Sequence, residues 1–563
     1  MQKKKEIVLL ILLFLLAVFL RFYKLSDVPN GLYQDETAIG YNAYSIIQTG
    51  RDEYGKFFPL YFKSFGDWKL PVYIYLDTIP IRIFGLNEFA VRFPSALFGV
   101  LTVITLYFFV KKLTDDKNIA FISSFLLAIN PWHLHYSRAT FEVSIALFLF
   151  LAGSLLLISS FNNKKLGGFF LGALFFILAF SSYNLTRLLS PFLFILILIF
   201  FKNKLKAIKK EEVILTAITS LVFFLPFLLT FFDKEGFNSS KGTLIFSSAQ
   251  VIAPLIEFKS YIIYLIPLFT KVFFNIPALQ VWHYLQNIAG YLSVEFFFIN
   301  GSPHGNHGIG NVGQFYLIEL PFILIAIFYI LKNKIKWGVF LLLFSLVVVL
   351  VASLTREVPH ATRSFFLTAP FEIFSAFGLI TLFKKIKNLK NANIKTLAFL
   401  LLSIASLYGI VYYFTSYYVR FPILYAKAWR SEDKDLSSYI KKNESNFEKI
   451  IFDEKAGFIY TSFLFYTKYP PILFQSIVKR EEDDSEGLSK VKSFGKYEFK
   501  NVDWSKDYKE KNVMIITSVD NLPQEITPTE KFLYPLRPVV ISLKQTTISY
   551  PVEEQAYVLV ESK

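Results

Sequence analysis

The chain contains no cysteine. Disulfide bonds, thiolate metal sites and cysteine nucleophiles are therefore excluded, and the compartment of each segment has to be read from topology. No small-x-small cleavage site follows the first apolar run, only RFYKLSDVPNG from Arg21, so the basic MQKKKE start leads into a retained span and not a removed leader. Neither a short-period repeat nor a low-complexity tract is present beyond the hydrophobic bias itself. A soluble basic patch is also missing. The formal net charge is +16, yet the cations sit in short clusters between apolar runs, a pattern that sets membrane topology and excludes nucleic acid as a partner.

What is present is hydrophobic. Of 563 residues, 54% are hydrophobic and 65 are Phe, more than a soluble enzyme of this size carries. Runs such as VSIALFLFLAGSLLLISSF and WGVFLLLFSLVVVLVASL reach or approach the roughly 20 residues that cross a bilayer as a helix. Spans are expected near 7–20, 88–110, 118–132, 143–161, 166–182, 185–201, 212–232, 315–331, 337–354, 364–383 and 396–418, about eleven in all.

The loops between them alternate. Those at the N-terminus, Lys111, Lys165, Lys202, Lys332 and Lys384 are short and Lys-rich, hence cytoplasmic. The other set faces outward: residues 21–87, WHLHYSRATFE from Trp132, SSYNLTR from Ser181, residues 233–314 and TREVPHATR from Thr355. An odd span count then leaves the N-terminus inside and residues 429–563 outside. That last segment loses hydropathy and reads as a soluble α/β domain appended to a helical polytopic membrane domain of residues 1–428. Within it KIIFDE, GFIYTSFLFYTKY, NVMIITSV and PVVISL have strand character, DLSSYIKKN is helical, and the acidic REEDDSEG from Arg480 reads as a solvated loop. The stretch LPVYIYLDTIPIRIF from Leu70 is too short and too interrupted to span, and suits a helix lying in the outer interface.

The chemistry-bearing residues gather in the outward loops. The first carries the paired acids Asp35 and Glu36, then RDEYG, FGDWKLP and NEFAVRFPS. A carboxylate beside a bilayer is costly unless solvated or used. For Asp52 and Glu53 interface polarity is explanation enough. The second loop holds His133, His135, Arg138 and Glu142, of which the histidines are read as hydrogen-bonding anchors. Arg187, Arg356, His360 and Arg363 place cations on the side where a membrane protein has few, so each needs an anionic partner: a lipid phosphate reached by snorkelling, or a substrate. GIGNVG at Gly308–Gly313 matches a dinucleotide fingerprint, but it precedes a span and follows no strand, and is read as a loop.

The order Asp35-Glu36, WKLPVYIYL, EFAVRFPSALFG, then Arg138 and Glu142, resembles the polytopic glycosyltransferases of the GT-C fold, in particular protein O-mannosyltransferases and lipid A aminoarabinose transferases. The resemblance covers residues 1–200 and recurs around 313–370. It implies an inverting transfer of a sugar from a polyprenyl-phosphate donor to a hydroxyl of a protein, lipid or cell-surface glycan, at the outer face of the plasma membrane. By the same resemblance Asp35 is the general base, Glu36 and Glu142 orient the acceptor, and Lys69, His360 and Arg363, with Arg138 and Arg187, bind the donor phosphate. Members differ in metal use, so a divalent cation on Asp35 and Glu142 is left open. The alternative class is a lipid or polysaccharide transporter, which calls for ionisable residues in mid-span. An oligosaccharyltransferase is the nearest enzyme competitor, but its Trp-Trp-Asp signature is absent from residues 430–563.

Overall fold

The computed structural model describes residues 2–65, 67–163, 166–205, 210–232, 244–245, 249–262, 273, 275–457, 460–483, 489–526, 528–533, 537–543, 546–552 and 555–561. Part of the outward loop expected at 233–314, residues 233–243, 246–248, 263–272 and 274, lies outside the described residues.

The chain packs as two compact units. One comprises Met1–Tyr23, Ser95–Ser137 and Phe141–Phe414, the other Lys24–Pro94, Arg138–Thr140 and Thr415–Lys563. The sequence places a boundary at 428/429; the packing instead groups Lys24–Pro94 with Thr415–Lys563.

The first unit is helical. Each expected span falls on a helix, among them α1 (Gln2–Phe22), α4 (Glu88–Thr114), α5 (Lys117–Ile129), α7 (Glu142–Asn163), α8 (Leu166–Phe180) and α9 (Thr186–Phe200). Among the described residues four helices are long and apolar enough to cross a membrane: Glu88–Thr114, Glu142–Phe161, Ala361–Lys387 and Ala392–Leu424. The span expected at 118–132 divides at Asn130. Its side chain accepts from His133 N and caps the short α6 (Pro131–Tyr136), while Pro131 supplies the fixed φ favoured at a helix start. At the opposite, Lys-rich end Glu6 of α1 accepts from Tyr107 (2.7 Å) and Lys117 (2.6 Å), so the KKK start and the KKLTDDK loop share one end of the bundle. Phenylalanine fills the interior: the Phe150 ring touches those of Phe176, Phe344 and Phe366, each within 5.5 Å. The GIGNVG segment is a loop, as expected, and leads to Gln314, whose carbonyl accepts from Asn130 (3.1 Å).

The second unit carries a seven-stranded sheet. Its centre is β3 (Lys449–Asp453), parallel to both β6 (Tyr497–Lys500) and β7 (Val513–Thr517). Strands β4 (Lys479–Arg480), β5 (Val491–Phe494), β8 (Glu530–Leu533) and β11 (Gln555–Glu561) complete it in the order β4-β5-β6-β3-β7-β11-β8. The arms β9 (Arg537–Leu543) and β10 (Thr546–Val552) pair separately. Alternation along β3 and β7 sends Ile450, Phe452, Met514 and Ile516 to one face and Ile451, Val513 and Ile515 to the other, so both faces are covered. The helix Asp433–Asn443 is as expected. The run GFIYTSFLFYTKY is not a strand: Tyr460–Tyr466 is helical. Its aromatic content reads as strand, but it is buried from Tyr460 to Phe465, and its two faces meet different partners. Phe463 packs on Phe452 and Tyr497 of the sheet, while Phe465 meets Gly40 so closely that a Cβ there would lie 2.6 Å from the ring.

Before the sheet come the elements of the first loop: α2 (Gln34–Thr49), the hairpin β1 (Phe62–Ser64) and β2 (Asp67–Lys69), and α3 (Pro71–Phe84). The last forms a helix where one was expected from Leu70. It buries Tyr73, Ile74 and Ile81 and exposes Ile79, Ile83 and Phe84. Of the acidic stretch after Arg480, residues 484–488 lie outside the described residues, and Glu481, Glu482 and Asp483 are exposed, as expected of a solvated loop. Arg480 lies 3.8 Å over the Tyr54 ring, and Asp483 pairs with Lys63 at 2.6 Å.

Candidate active site

Asp35 and Glu36 occupy the first turn of α2, where carboxylates complement the exposed N–H groups and the positive end of the helix dipole. Adjacent residues on a helix point about 100° apart, and the two acids meet opposite surroundings. The Asp35 side chain remains 34% exposed, with Oδ1 held at 2.6 Å by Nζ of Lys69, itself buried at the end of β2. Register puts Lys69 opposite Phe62 in the hairpin, and its ammonium also lies 5.0 Å from the centre of the Phe65 ring.

Glu36 is fully buried, and both of its oxygens are taken. Arg92 grips it bidentately, Nε to Oε1 and Nη2 to Oε2 at 3.0 Å each, and Oε1 also accepts from the backbone and hydroxyl of Thr140 at 3.0 Å. Oε2 closes a capping box by accepting from Tyr33 N (3.3 Å). Arg92 spends its remaining donors on the carbonyls of Leu25, Pro29 and Gly31. Glu36 thus fastens α2 to the start of α4 and to the Arg138–Thr140 segment. That geometry suits positioning better than the acceptor contact the sequence implies. Arg138 is likewise fully buried; it donates to Lys24 O (3.1 Å) and Val28 O (3.0 Å) and lies over the rings of Tyr417 and Tyr418. Its guanidinium ties chain segments together instead of facing an open phosphate position.

Two residues of this region carry no weight in the sequence reading. Arg92 stands inside the quoted EFAVRFPS, where a lone arginine in an apolar helix start is the usable signal. Asp77 sits on the buried face of α3, and neither carboxylate oxygen has a hydrogen-bond partner among the described residues. Burial, reinforced by the nearby charge of Glu36, pushes its carboxyl well above the usual range and keeps it neutral.

The other expected residues belong to the first unit. Glu142 opens α7. Arg187 is the second residue of α9, buried, with its guanidinium 5.9 Å from the Phe180 ring. Nearby α8, α9 and the helix Lys210–Phe232 enclose an apolar cavity of about 390 Å³ lined by Phe169, Phe176, Phe180, Pro191, Phe194 and Phe224. His360 and Arg363 do come together. Arg363 donates to the carbonyl and to Oε2 of Glu357, both at 3.0 Å, and His360 Nε2 lies 3.9 Å from the same carboxylate. Burial, then the charge of Arg363, pushes the His360 imidazole well below its usual range, so it stays neutral. His307 is 4.6 Å from it, ring to ring, and is lowered to about 3 by burial. His133 and His135 are hydrogen-bonding anchors: His133 Nδ1 accepts from Arg21 (2.9 Å), and His135 Nε2 pairs with Asn306 O (2.9 Å). For a metal the fit is poor. Asp35 gives its carboxylate to Lys69, and among the described residues no group of three or more His, Asp or Glu is arranged to hold a cation.

Residues 69–229 match the family model of dolichyl-phosphate-mannose-protein mannosyltransferases. A putative mannosyltransferase, YkcB, of Bacillus subtilis is 30% identical over 169 residues, which are 29% of this chain and 22% of that protein. The chain therefore spans less than a quarter of that relative's length. Among solved structures, ArnT from Cupriavidus metallidurans superposes with a TM-score of 0.54 at 12% identity, covering 98% of this chain and 97% of that one; it is known both without ligand and bound to undecaprenyl phosphate. The Archaeoglobus fulgidus oligosaccharyltransferase, tethered to an acceptor peptide, gives 0.52 at 14% identity over 92% of this chain and 69% of that one. The family match, the mannosyltransferase-named relatives and these superpositions together indicate a membrane protein of the GT-C glycosyltransferase fold.

Proposed function

We propose that the protein is an inverting glycosyltransferase that moves a sugar from a polyprenyl-phosphate carrier to an acceptor hydroxyl at the extracytoplasmic face of the plasma membrane. The observation that carries this reading is the contrast at the start of α2: a partly exposed Asp35 fixed by Lys69, beside a Glu36 fully consumed by Arg92 and Thr140. One carboxylate is kept available while its neighbour holds the helix in place. The Asp35 carboxylate accepts the acceptor's hydroxyl proton as the oxygen attacks the anomeric carbon. The bond from that carbon to the phosphate oxygen breaks, and its electron pair leaves with the polyprenyl phosphate. Lys69 fixes the direction of the carboxylate. Arg363, with its two parallel donors, and the neutral His360 are assigned to the donor phosphate. The apolar cavity beside α8 and α9 suits a stretch of isoprenoid chain. No step runs through a metal ion.

The transporter alternative finds less support. The buried Glu319 opens its helix, and Glu372, within the apolar helix Ala361–Lys387, accepts a hydrogen bond from Asn130 (2.7 Å), while the family match over residues 69–229 favours a transferase. The decisive experiment is turnover of polyprenyl-phosphate mannose by purified protein. Asp35→Asn is expected to lower kcat about 10²- to 10⁴-fold, the usual contribution of a general base, and a D35N protein that keeps the wild-type rate removes Asp35 from that role.

A further inference from the structure

The first loop and the C-terminal domain form one packed unit, and the helix Tyr460–Tyr466 lies between them. We propose that Tyr460 is a positioning residue for sugar transfer. Its hydroxyl locks the β1–β2 hairpin that presents Lys69 to Asp35, and residues 415–563 thereby act on the reaction by clamping the loop that carries the base.

Tyr460 is buried and bonded on both sides. Its O–H donates to Glu53 Oε1 (2.9 Å) and accepts from Phe65 N–H (3.1 Å). Phe65 follows β1 directly, in the turn that connects it to β2, and its ring lies beneath the Lys69 ammonium. A chain of contacts therefore runs from Glu53 through the tyrosine to the hairpin turn, then to Lys69 and Asp35. The next residue, Thr461, shares a hydroxyl hydrogen bond with Thr37 (3.0 Å), two positions after the base. Further along, Tyr41 O–H donates to Tyr469 O (3.1 Å), Gln475 donates to Ser45 Oγ (3.0 Å) and Asp52 O (2.8 Å), and Arg480 donates to Glu53 O (3.2 Å). The C-terminal domain thus grips α2, the Asp52–Glu53 turn and the hairpin separately.

Such a grip is needed because strands of three residues do not hold a hairpin in one place unaided. Transfer is sensitive to placement, since about 1 Å of error in a reacting group costs on the order of a hundredfold. With its ring buried, Tyr460 acts through the hairpin.

This inference rests on the transfer reading, and two measurements separate them. Amide hydrogen exchange across residues 62–70 tests the clamp; steady-state turnover of polyprenyl-phosphate mannose tests its consequence. Tyr460→Phe keeps the ring in the core and removes the hydroxyl. Exchange in the hairpin is expected to rise about tenfold or more, and kcat to fall about tenfold at unchanged donor KM, since the hydroxyl's two hydrogen bonds, to Glu53 and from Phe65 N–H, are both lost. Glu53→Gln, which keeps an acceptor for the hydroxyl, retains both values at pH 6 within about twofold, whereas Glu53→Ala reproduces the tyrosine variant. Wild-type exchange in the Y460F protein, or a KM effect without a kcat effect, overturns the proposal. If hairpin exchange rises but the wild-type protein itself does not consume the donor, the clamp stands and the transfer reading fails.

Discussion

Glu53 makes the docking of the first loop dependent on pH, and the sign follows from its surroundings. The carboxyl is fully buried, and burial pushes its pKa from an ordinary 4.5 to about 7. Arg480, the Tyr460 hydroxyl and Ser64 pull it back down, while Asp52 adds to the rise. Asp52 is itself raised by burial, so it acts in the same sense. A carboxyl raised in the folded state holds its proton where the unfolded chain has released it. Its stabilisation is complete below 4.5, is lost progressively as pH rises toward 7, and is gone above that. The interval from 4.5 to about 7 corresponds to about 3 kcal/mol at 1.36 kcal/mol per pH unit. Glu53→Gln is neutral throughout and lacks this slope. Thermal unfolding of both proteins in the same detergent, from pH 4.5 to 8, is the assay. The midpoints should nearly coincide at pH 4.5, and the variant should exceed the wild type by about 6–12 °C at pH 8, taking about 2–4 °C per kcal/mol for a unit of this size. Parallel curves across the whole range would refute the assignment of the slope to Glu53.

Arg92→Ala leaves Glu36 as an unpaired buried charge and should cost about 3–5 kcal/mol, measured by denaturant unfolding, whereas Glu36→Met with Arg92→Met should cost clearly less. Arg363→Lys keeps the charge but loses the paired donors now directed at Glu357; donor KM should rise about tenfold with kcat nearly constant, measured by initial rates against polyprenyl-phosphate mannose.

The long apolar helices, the helix α3 and strands β3 and β7 were legible in the sequence because each is decided locally, by run length, by a proline at a helix start or by alternation. The helix Tyr460–Tyr466 was not, since its helicity follows from being wedged between α2 and the sheet, and a segment buried from Tyr460 to Phe465 shows no amphipathic period to read. Asp35 and Lys69 were nameable from their motifs, and the structure adds the hairpin that joins them. The part played by Arg138 was beyond reach for a different reason: its partners are the carbonyls of Lys24 and Val28, 114 and 110 residues away, and a carbonyl leaves no mark in sequence. Glu53 looked like plain interface polarity because an acid in RDEYG is normally solvated. Only burial under Tyr460, 407 residues later, makes it titrate near neutrality.

The paired acids show how two like residues are divided between structure and chemistry. Adjacent carboxylates facing the same way would raise one another's pKa and compete for one cation. Helical geometry separates them, and the chain then supplies each with its own cation from a different source. Arg92, from the start of α4, makes a planar bidentate match to the buried Glu36, for which guanidinium is suited and ammonium is not. Lys69, from the hairpin, gives Asp35 a single compact charge at one oxygen and leaves the other oxygen out of that pair. Exchanging the two cations between these positions would place one donor where several bonds are needed and a fork where one contact suffices. With arginine on Glu36 and lysine on Asp35, the partly exposed Asp35 keeps one oxygen outside its ion pair while the buried Glu36 holds the helix.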